Sequence, residues 1–350
     1  SSDLMEFITA PQVKLVGTGG AGNNILNRLF SRRVKGVETI ALNTDANHLN
    51  QCKAHVRKVL GAKVTKGRGA GGDPYIGKRC AEDDEEDIRG KLSDGDIIFV
   101  IAGMGGGTGT GSAPVIAKYA KETDAVVVGV AILPFREEGL SRRKVALEGL
   151  AELKKNCDCV IELDNEKLNE LTDGDYPIQK AFSVMSDLVS GIVQSLSEVV
   201  TEPSMINVDF ADLKKIIEAG GTAKVLYGES DGSDPGSVLD SVLGNPLLGN
   251  NYKGAEAVLL HIAAGSEFAM SDCHEVLSAL KYDLAEDANL IWGLRTDDSM
   301  STKVKVVMLV SAIPDSEHDL STDVDEELNS LGSSLPVSYT HLTLPTTEAV

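Results

Sequence analysis

The 350-residue sequence has no apolar run long enough to cross a membrane and no excess of basic residues. A membrane-spanning helix needs about 20 predominantly apolar residues. Lys and Arg together number 33 against 53 Asp and Glu, which gives a net charge of −20. This balance offers no basic patch for nonspecific nucleic-acid binding or for a polybasic membrane anchor. We therefore expect no nucleic-acid partner and no direct membrane insertion.

Cysteine is also scarce, and its spacing does not indicate a metal site. There are five cysteines, and the close pair Cys157 and Cys159 has one intervening residue and no second pair to complete a zinc site. The six histidines show no metal-ligand spacing, and no signal-peptide pattern is present. We expect reduced, buried thiols and a cytoplasmic protein.

The most informative segment is a glycine-rich loop that follows an apolar run. The run covers Ile97–Ala102, and residues 103–111 then read GMGGGTGTG. Ser112 and Pro114 suit the N-cap and first turn of a helix. A strand, a glycine loop and a helix N-terminus form an anion site, because backbone N–H groups can approach a phosphate and the helix dipole favours negative charge. We expect this loop to hold a polyphosphate.

This loop lacks the lysine of a Walker-type phosphate loop. The motif G-x-x-x-x-G-K-[ST] places a lysine against the outer phosphates, but no lysine occurs between Ile97 and Val115. Another group must neutralise the phosphate charge. The simplest expectation is a metal ion, Mg²⁺, acting together with the loop amides.

Two further glycine clusters occupy residues 17–24 (GTGGAGNN) and 67–74 (GRGAGGDP). The first fits the dinucleotide pattern G-x-G-x-x-G, which alone is a weak signal. The acid expected after the second strand comes slightly late, at Asp45. Loops that follow parallel strands converge at one edge of a sheet. Three such loops favour a nucleoside triphosphate gripped from several sides, and an NAD(P)-dependent Rossmann oxidoreductase remains the enzymatic alternative.

Taken in order, these segments resemble the FtsZ/tubulin family of polymerising GTPases, and the FtsZ branch in particular, with an archaeal member as the expectation. Residues 105–111 (GGGTGTG) carry the most specific match. The resemblance extends from about Val13 to about Ile313. Other matching segments are residues 134–139 (PFREEG), 165–168 (NEKL), 207–212 (NVDFAD) and 246–248 (PLL).

The order of apolar segments predicts an α/β fold with two parts. Strands alternate with helices from Gln12 to about Tyr176, which is typical of a mostly parallel sheet covered on both faces. A long central helix and a smaller α/β region follow. We expect an N-terminal tail (1–11), a GTP-binding domain (12–180), the central helix (181–204), a C-terminal GTPase-activating domain (205–314) and a disordered tail (315–350).

The end of the chain carries two further expectations. In the family, the tail recruits division-machinery or membrane-tether proteins, but no convincing version of the recruiting peptide occurs here. Residues 336–350 resemble translated adapter or vector sequence, so we expect that the natural C-terminus is missing.

The resemblance implies a nucleotide-binding role for many residues. Backbone amides of two glycine loops would surround the phosphates of GTP or GDP; these residues are Gly20, Ala21, Gly22, Gly106, Gly107, Thr108 and Gly109. Further nucleotide-binding residues are expected at Gly19, Asn43, Asp45, Ala70, Gly71, Gly72, Gly103 and Gly105. Asn24 would help position the base or the adjoining sugar-phosphate. Glu138 would accept hydrogen bonds from the ribose, with Arg142 and Pro134 beside it. Asn165 would read the guanine edge, and Phe182 would stack on its face.

One position departs from the family pattern. Family members carry Asn or Asp four residues after the stacking phenylalanine, whereas this chain has Ser186 there and Asp187 next. Bidentate recognition of guanine needs a carboxylate or an amide. Asp187 could supply it after a small change of register, or Ser186 could make a single weaker bond.

The resemblance assigns hydrolysis to Asn207, Asp209 and Asp212. Capping of the following helix is the ordinary role of an acid at the position of Asp212, and this alternative stays open. A 20-residue helix before the acids would be about 30 Å long, so the acids and the glycine loops are not expected to meet within one molecule. In the family they meet between subunits, and head-to-tail contacts of this kind produce open filaments.

The resemblance therefore implies assembly-dependent GTP hydrolysis in head-to-tail protofilaments that form a mid-cell division ring. A nucleotide-binding filament scaffold or regulatory paralogue with weak hydrolysis is the structural alternative. The oxidoreductase alternative leaves residues 105–111 without a role.

Overall fold

A computed structural model describes residues 11–34, 36–167, 178–219, 222–231, 234–245, 252–282 and 284–313. Several expectations fall elsewhere in the sequence. Most of the N-terminal tail, the matching segment 246–248, and the tail 315–350 with its partner and adapter assignments lie outside the described residues.

Six parallel strands form the first sheet, in the order β3-β2-β1-β4-β5-β6. The strands are β1 (Val13–Thr18), β2 (Val37–Asn43), β3 (Val56–Val59), β4 (Ile97–Gly103), β5 (Val126–Leu133) and β6 (Cys159–Asp164). The direction of winding reverses between the neighbours β1 and β4. In open α/β sheets, ligands bind outside the carboxyl ends of the strands at such a reversal. The topology alone therefore indicates where a site belongs.

Helices cover both faces of this sheet. They are α1 (Gly19–Arg32), α2 (Ala46–Gln51), α3 (Ala62–Thr65), α4 (Pro74–Asp83), α5 (Glu85–Leu92), α6 (Thr108–Lys121) and α7 (Leu140–Lys154). Alternate residues of β4 enter two different cores: Phe99 packs on the α1 side and Val100 on the α6 side. A strand buried on both faces reads as a continuous apolar run, and this explains the uninterrupted run that begins at Ile97.

A long helix, α8 (Ile178–Thr201), leads away from the first sheet. Its 24 residues correspond to about 36 Å. It runs beside α1 in the same direction, because Arg28 bonds Asp187 and, further along both helices, Arg32 bonds Gln194. Its last residue, Thr201, contacts Gly36 just before β2. The helix thus extends from the carboxyl edge of the sheet to the opposite edge.

A second sheet follows, in the order β7-β10-β8-β9, with β10 antiparallel to both of its neighbours. Its strands are β7 (Thr222–Ser230), β8 (Ala257–Ala264), β9 (Asn289–Thr296) and β10 (Val304–Ile313), and its helices are α9 (Phe210–Glu218), α10 (Pro235–Leu243) and α11 (Met270–Lys281). The predicted fold class is confirmed: a larger, parallel α/β part and a smaller α/β part are joined by a long helix.

The start of α6 differs from the sequence-based expectation. The helix begins at Thr108, so the prediction that Ser112 and Pro114 begin it is wrong. Ser112 is buried one turn into the helix, and its Oγ donates to the Thr108 carbonyl at 2.6 Å. The helix can start early because glycines let it approach α4: a Cβ on Gly111 would lie 2.0 Å from the Pro74 carbonyl oxygen. Pro114 sits inside the helix, where it has no N–H to donate.

Within the described ranges, no helix is both long enough and apolar enough to span a bilayer.

Candidate functional site

The glycine loops that follow β1 and β4 are in direct contact. Gly19 has a φ of +71°, and a Cβ on it would lie 2.9 Å from the backbone nitrogen of Gly109. A Cβ on Gly22 would lie 2.3 Å from the carbonyl oxygen of Ile101. Side chains are therefore excluded at these contacts, and α1 and α6 begin side by side. Two helix N-termini at one point provide unpaired N–H groups and a favourable field for an anion.

The third glycine cluster packs against the same loop. A Cβ on Gly107 would lie 2.8 Å from the backbone nitrogen of Asp73 and 2.9 Å from the Ala70 side chain. The loop after β2 joins through two hydroxyls, since Thr44 Oγ1 lies 2.6 Å from Thr108 Oγ1. The structure thus brings all three glycine clusters together, although the third follows the short helix α3 (Ala62–Thr65) rather than a strand.

These loops enclose an open cleft of about 330 Å³. Eight of the predicted site residues line it: Gly20, Asn43, Asp45, Ala70, Gly71, Gly72, Gly107 and Thr108. A Cβ at Gly71, Gly72 or Gly106 would meet nothing within 4 Å, so these backbones border open space. Ala21 and Asn24 are exposed on the first turns of α1, whereas Gly103 packs inward against Ala21.

Two polar residues of the cleft also build its wall. The Asp45 carboxylate accepts from the backbone N–H groups of Asn47 and His48 at 2.8 and 3.1 Å and caps α2. The side-chain oxygen of Asn43 accepts from the Asp45 N–H at 3.1 Å. Asn43 Nδ2 lies 3.4 Å from His48 Nδ1. The other ring nitrogen of His48 faces Gly20, because a Cβ on Gly20 would lie 3.8 Å from Nε2.

Arg68 and His48 line the cleft but were not among the predicted site residues. Arg68 pairs with Asp45 in an isolated antiparallel bridge, and its side chain is exposed at the cleft. It brings a permanent positive charge to the cleft, whereas the sequence analysis expected a metal ion to supply the positive charge. The available signal was its place inside the third glycine cluster, between Gly67 and Gly69.

The loop after β5 approaches the central glycine loop from the other side. Gly105 has a φ of +89°, and a Cβ on it would lie 2.8 Å from the Arg142 carbonyl oxygen and 3.3 Å from the Pro134 ring. Glu138 Oε2 pairs with Arg142 Nη1 at 3.0 Å. Glu138 and Arg142, the residues predicted to lie at the ribose, therefore adjoin the glycine loop that follows β4.

Asn165 follows β6 at the same edge. The residue is 5% exposed, and its Oδ1 is a buried acceptor that has no hydrogen-bond partner in the described part of the chain. A buried acceptor left unpaired costs about 1–3 kcal/mol. Asn165 Oδ1 is therefore suited to accept a hydrogen bond from a donor group of a bound ligand.

The residues predicted on α8 are only partly described. Phe182 lies within the helix, but its side chain is outside the described residues. Asp187 is held by Arg28, whose Nη1 donates to Oδ1 at 2.5 Å, so its carboxylate faces α1. Ser186 is half-buried one residue earlier.

The predicted catalytic residues lie beyond the far end of α8. Asp209 directly precedes α9 and is exposed, and its side chain makes no capping bond. Asp212 is the third residue of α9, and Asp209 rather than Asp212 occupies the N-cap position of this helix. Its carboxylate lies 3.4 Å from Lys215 Nζ. Asn207 is exposed, and its Oδ1 accepts from the Ser204 N–H at 2.8 Å. The structure does not bring these acids to the glycine loops within one chain.

Among the residues that the structure describes, no group of three or more His, Cys, Asp or Glu side chains is arranged to hold a metal ion.

Both parts of the chain match models of known protein families. Residues 12–173 match the model of the Tubulin/FtsZ family, GTPase domain, and residues 221–314 match that of the FtsZ family, C-terminal domain. The chain is 42% identical over 306 residues to cell division protein FtsZ 2 of Methanocaldococcus jannaschii, covering 86% of this chain and 80% of that protein. It is 42% identical to FtsZ 2 of Haloferax volcanii, with 87% and 76% covered.

Solved structures agree. An empty FtsZ dimer from M. jannaschii superposes with a TM-score of 0.83 at 37% identity, covering 89% of this chain and 92% of that one. CetZ2 from Haloferax volcanii, solved as a protofilament, superposes with a TM-score of 0.76 at 20% identity, covering 92% and 99%. The second likeness supports the fold alone.

Proposed function

Because the chain belongs to the FtsZ family of tubulin-like GTPases, we propose that it binds GTP in the cleft at the β1–β4 junction and hydrolyses it on head-to-tail assembly into protofilaments. The relatives named above are cell division proteins, and we extend that duty to this chain as part of the proposal. The action would take place in the cytoplasm at a mid-cell ring. Family membership removes the basis for the oxidoreductase alternative.

The observation that carries the proposal is the pairing of two incomplete sites at opposite ends of α8. Three glycine loops and Arg68 form the cleft at one end, and exposed Asn207 and Asp209 lie beyond the other. Because α8 is about 36 Å long, one chain cannot close its own site. A second copy placed head to tail would bring its acids over the cleft, and repetition of this contact gives an open filament.

The groups around the cleft suit the parts of GTP. The backbone amides of residues 19–22 and 105–109 would surround the phosphates, and Arg68 would neutralise part of their charge. Glu138 would accept hydrogen bonds from the ribose hydroxyls, with Arg142 beside it. The unpaired Oδ1 of Asn165 would accept a hydrogen bond from the guanine edge.

Hydrolysis would be completed by the neighbouring subunit. Phosphoryl transfer depends on positioning and on stabilisation of charge. Asp209 and Asp212 of the neighbour would orient and polarise the attacking water, and Asn207 would help to place them. Tying the acids to assembly makes turnover depend on filament formation.

Mg²⁺ belongs to the proposal as a companion of the triphosphate. Mg²⁺ commonly keeps several waters and binds through substrate phosphates and one or two carboxylates. The described residues fit that mode, because the cleft offers the Asp45 carboxylate and the Thr108 hydroxyl but no dedicated cage. When bound, the ion would neutralise charge on the outer phosphates.

We also propose the domain division expected from the sequence, in which the central segment 181–204, most of it within α8 (Ile178–Thr201), separates a GTP-binding domain (12–180) from a GTPase-activating domain (205–314). Tether or division-machinery proteins would bind through the tail (315–350). A filament scaffold with weak hydrolysis is the second candidate, favoured by Ser186 and by the engagement of Asp187 with Arg28.

The test is the rate of GTP hydrolysis per molecule as a function of protein concentration, with Mg²⁺ and simultaneous light scattering. A specific rate that rises above a threshold concentration, together with scattering, supports assembly-coupled hydrolysis. Scattering with negligible turnover supports the scaffold. A rate per molecule that is independent of concentration, without scattering, would show that the site is complete within one chain and would refute the proposal.

A further inference from the structure

A buried ion pair that the sequence analysis missed joins the two loops on the nucleoside side of the cleft. Arg143 lies in the first turn of α7, and Asp164 is the last residue of β6. Arg143 Nη1 bonds Asp164 Oδ1 at 2.9 Å, and Nη2 bonds Oδ2 at 2.6 Å. The residues are 8% and 9% exposed. A bidentate pair of this kind fixes relative orientation as well as separation.

Additional bonds extend the pair into both loops. Arg143 Nη1 also donates to the carbonyl of Pro134 at 3.1 Å, and Asp164 Oδ1 also accepts from the N–H of Glu166 at 3.0 Å. Leu133 and Asp164 are partners in the parallel register of β5 and β6. The two loops therefore leave the sheet side by side and are joined at their bases.

The residues fixed in this way flank the groups proposed to bind the nucleoside. Arg142 precedes Arg143 and pairs with Glu138 at 3.0 Å. Asn165 follows Asp164 directly, and its own Oδ1 is buried without a partner in the described ranges. The loop after β5 thus carries Glu138, which is proposed to bind the ribose, and the loop after β6 carries Asn165, which is proposed to bind the base. Neither Arg143 nor Asp164 is itself part of the cleft lining.

We propose that Arg143 and Asp164 are positioning residues for base recognition. The ion pair sets the separation between Glu138 and Asn165, and so places the Asn165 amide against guanine. The inference rests on the proposed GTP site. It has added weight in this chain because Ser186 offers no amide or carboxylate, which leaves Asn165 as the amide that discriminates the base.

Breaking the ion pair should weaken binding of the nucleoside part of GTP and leave binding of the phosphates unchanged. Removal of one partner leaves the other as an uncompensated buried charge, and the two loops must then shift to bring it water. The bonds described above connect Arg143 and Asp164 to the loops after β5 and β6, whereas the phosphates are proposed to lie on the loops after β1 and β4. A loss confined to the nucleoside is the signature that distinguishes positioning from general destabilisation.

The experiment compares Arg143→Met and Asp164→Asn with wild type and with Lys154→Met as a control. Lys154 Nζ pairs with Glu162 Oε1 at 2.7 Å, so the control breaks a pair between the same helix and strand but away from the loops. Calorimetry on the full chain measures the affinities for GTP, ATP and inorganic tripolyphosphate. Asp164→Asn keeps the shape and the acceptor oxygen, so it provides the test if Arg143→Met does not fold.

We expect Arg143→Met to weaken GTP binding by about tenfold and to reduce the preference for GTP over ATP. Tripolyphosphate affinity should stay at the wild-type value. Asp164→Asn should show a smaller loss of the same kind, and Lys154→Met should match wild type in all three affinities.

The inference is overturned if both loop variants keep the wild-type ratio of GTP to ATP affinity, or if tripolyphosphate and GTP weaken equally. A wild-type chain that does not prefer GTP over ATP would instead overturn the proposed function, and that outcome is read from wild type alone.

Discussion

Gly19 and Gly109 meet at the junction of β1 and β4, where a Cβ on Gly19 would lie 2.9 Å from the backbone nitrogen of Gly109. Two chain segments 90 residues apart can approach so closely only without side chains. The contact places the N-termini of α1 and α6 next to each other. A single glycine loop is compatible with many kinds of ligand, whereas two adjoining helix N-termini favour a polyphosphate.

Gly19→Ala tests this contact. Its φ of +71° disfavours any side chain, and the added Cβ would clash with backbone that cannot move aside. We expect a stability loss of about 1–3 kcal/mol and at least a tenfold loss of GTP affinity, measured by denaturant unfolding and by binding of a fluorescent GTP analogue.

The matched control is Gly90→Ala on α5, where a Cβ would meet nothing within 4 Å. It should stabilise the fold by about 0.5–1 kcal/mol, as Ala does in a helix interior, and leave binding unchanged. Wild-type affinity in Gly19→Ala would mean that the phosphates do not lie at this junction.

Thr108→Phe should abolish nucleotide binding while the chain stays folded. Thr108 lines the cleft, and its Oγ1 lies 2.6 Å from Thr44 Oγ1, so a bulky ring would fill the space proposed for the phosphates. Thr108→Ser keeps the hydroxyl and should bind normally. Equilibrium binding of labelled GTP with circular dichroism distinguishes lost binding from unfolding, and normal binding by Thr108→Phe would place the phosphates elsewhere.

Asp212→Ala should retain GTP binding and lose turnover, because its carboxylate is proposed to act on the nucleotide of the neighbouring subunit. Glu218→Ala, on the same helix and also paired with a lysine, should keep wild-type turnover and serves as the control. Turnover that survives in Asp212→Ala would reject the proposed role of this acid.

Mixing the two inactive variants makes the test sharper. Thr108→Phe chains retain intact acids, and Asp212→Ala chains retain an intact cleft. In an equimolar mixture about one interface in four would join an intact cleft to intact acids, so hydrolysis should reappear at about a quarter of the wild-type rate. A mixture as inactive as its components would argue against a site shared between subunits.

The sequence predicted the fold and the cleft well because both depend on local patterns. The run Ile97–Ala102 indicated a strand buried on two faces, and two of the three glycine clusters marked loops that directly follow strands. The start of α6 was misjudged because its first turn is stabilised by contacts with α4, through Gly111 and Pro74, and these contacts leave no local signal.

Long-range polar pairs were beyond sequence reasoning for the same reason. Arg143 and Asp164 are 21 residues apart and pair through the packing of α7 on β6. Arg68 reaches the cleft through a bridge to Asp45. The sequence separation within each pair follows no helix or strand period, so neither pairing can be predicted before the strands are placed in the sheet.

A buried histidine in the second sheet predicts a pH-dependent stability. His261 of β8 is 3% exposed, and its Nε2 has no hydrogen-bond partner in the part of the chain that the structure describes. Burial, aided by the nearby positive charge of Arg295, lowers the pKa of His261 to about 4. That guanidinium is itself held by Glu198 at 2.9 Å and Asp297 at 3.6 Å.

The direction of the effect follows from the two pKa values. The unfolded chain takes up a proton near the ordinary histidine pKa of about 6.5, whereas the folded chain resists until about 4. Between these values the unfolded state binds more protons, so the free energy of unfolding falls as the pH falls from 6.5 to 4. Because one proton is involved, the free energy of unfolding changes by at most about 1.4 kcal/mol per pH unit.

His261→Leu should remove this part of the pH dependence, because it keeps an apolar group in the buried position. Chemical unfolding at several pH values between 4 and 7 measures the effect, with exposed His274→Gln as the control for loss of a histidine. As the pH falls, the unfolding free energy of wild type should decrease relative to that of His261→Leu. A difference that stays constant across this window would show that His261 is protonated alike in both states.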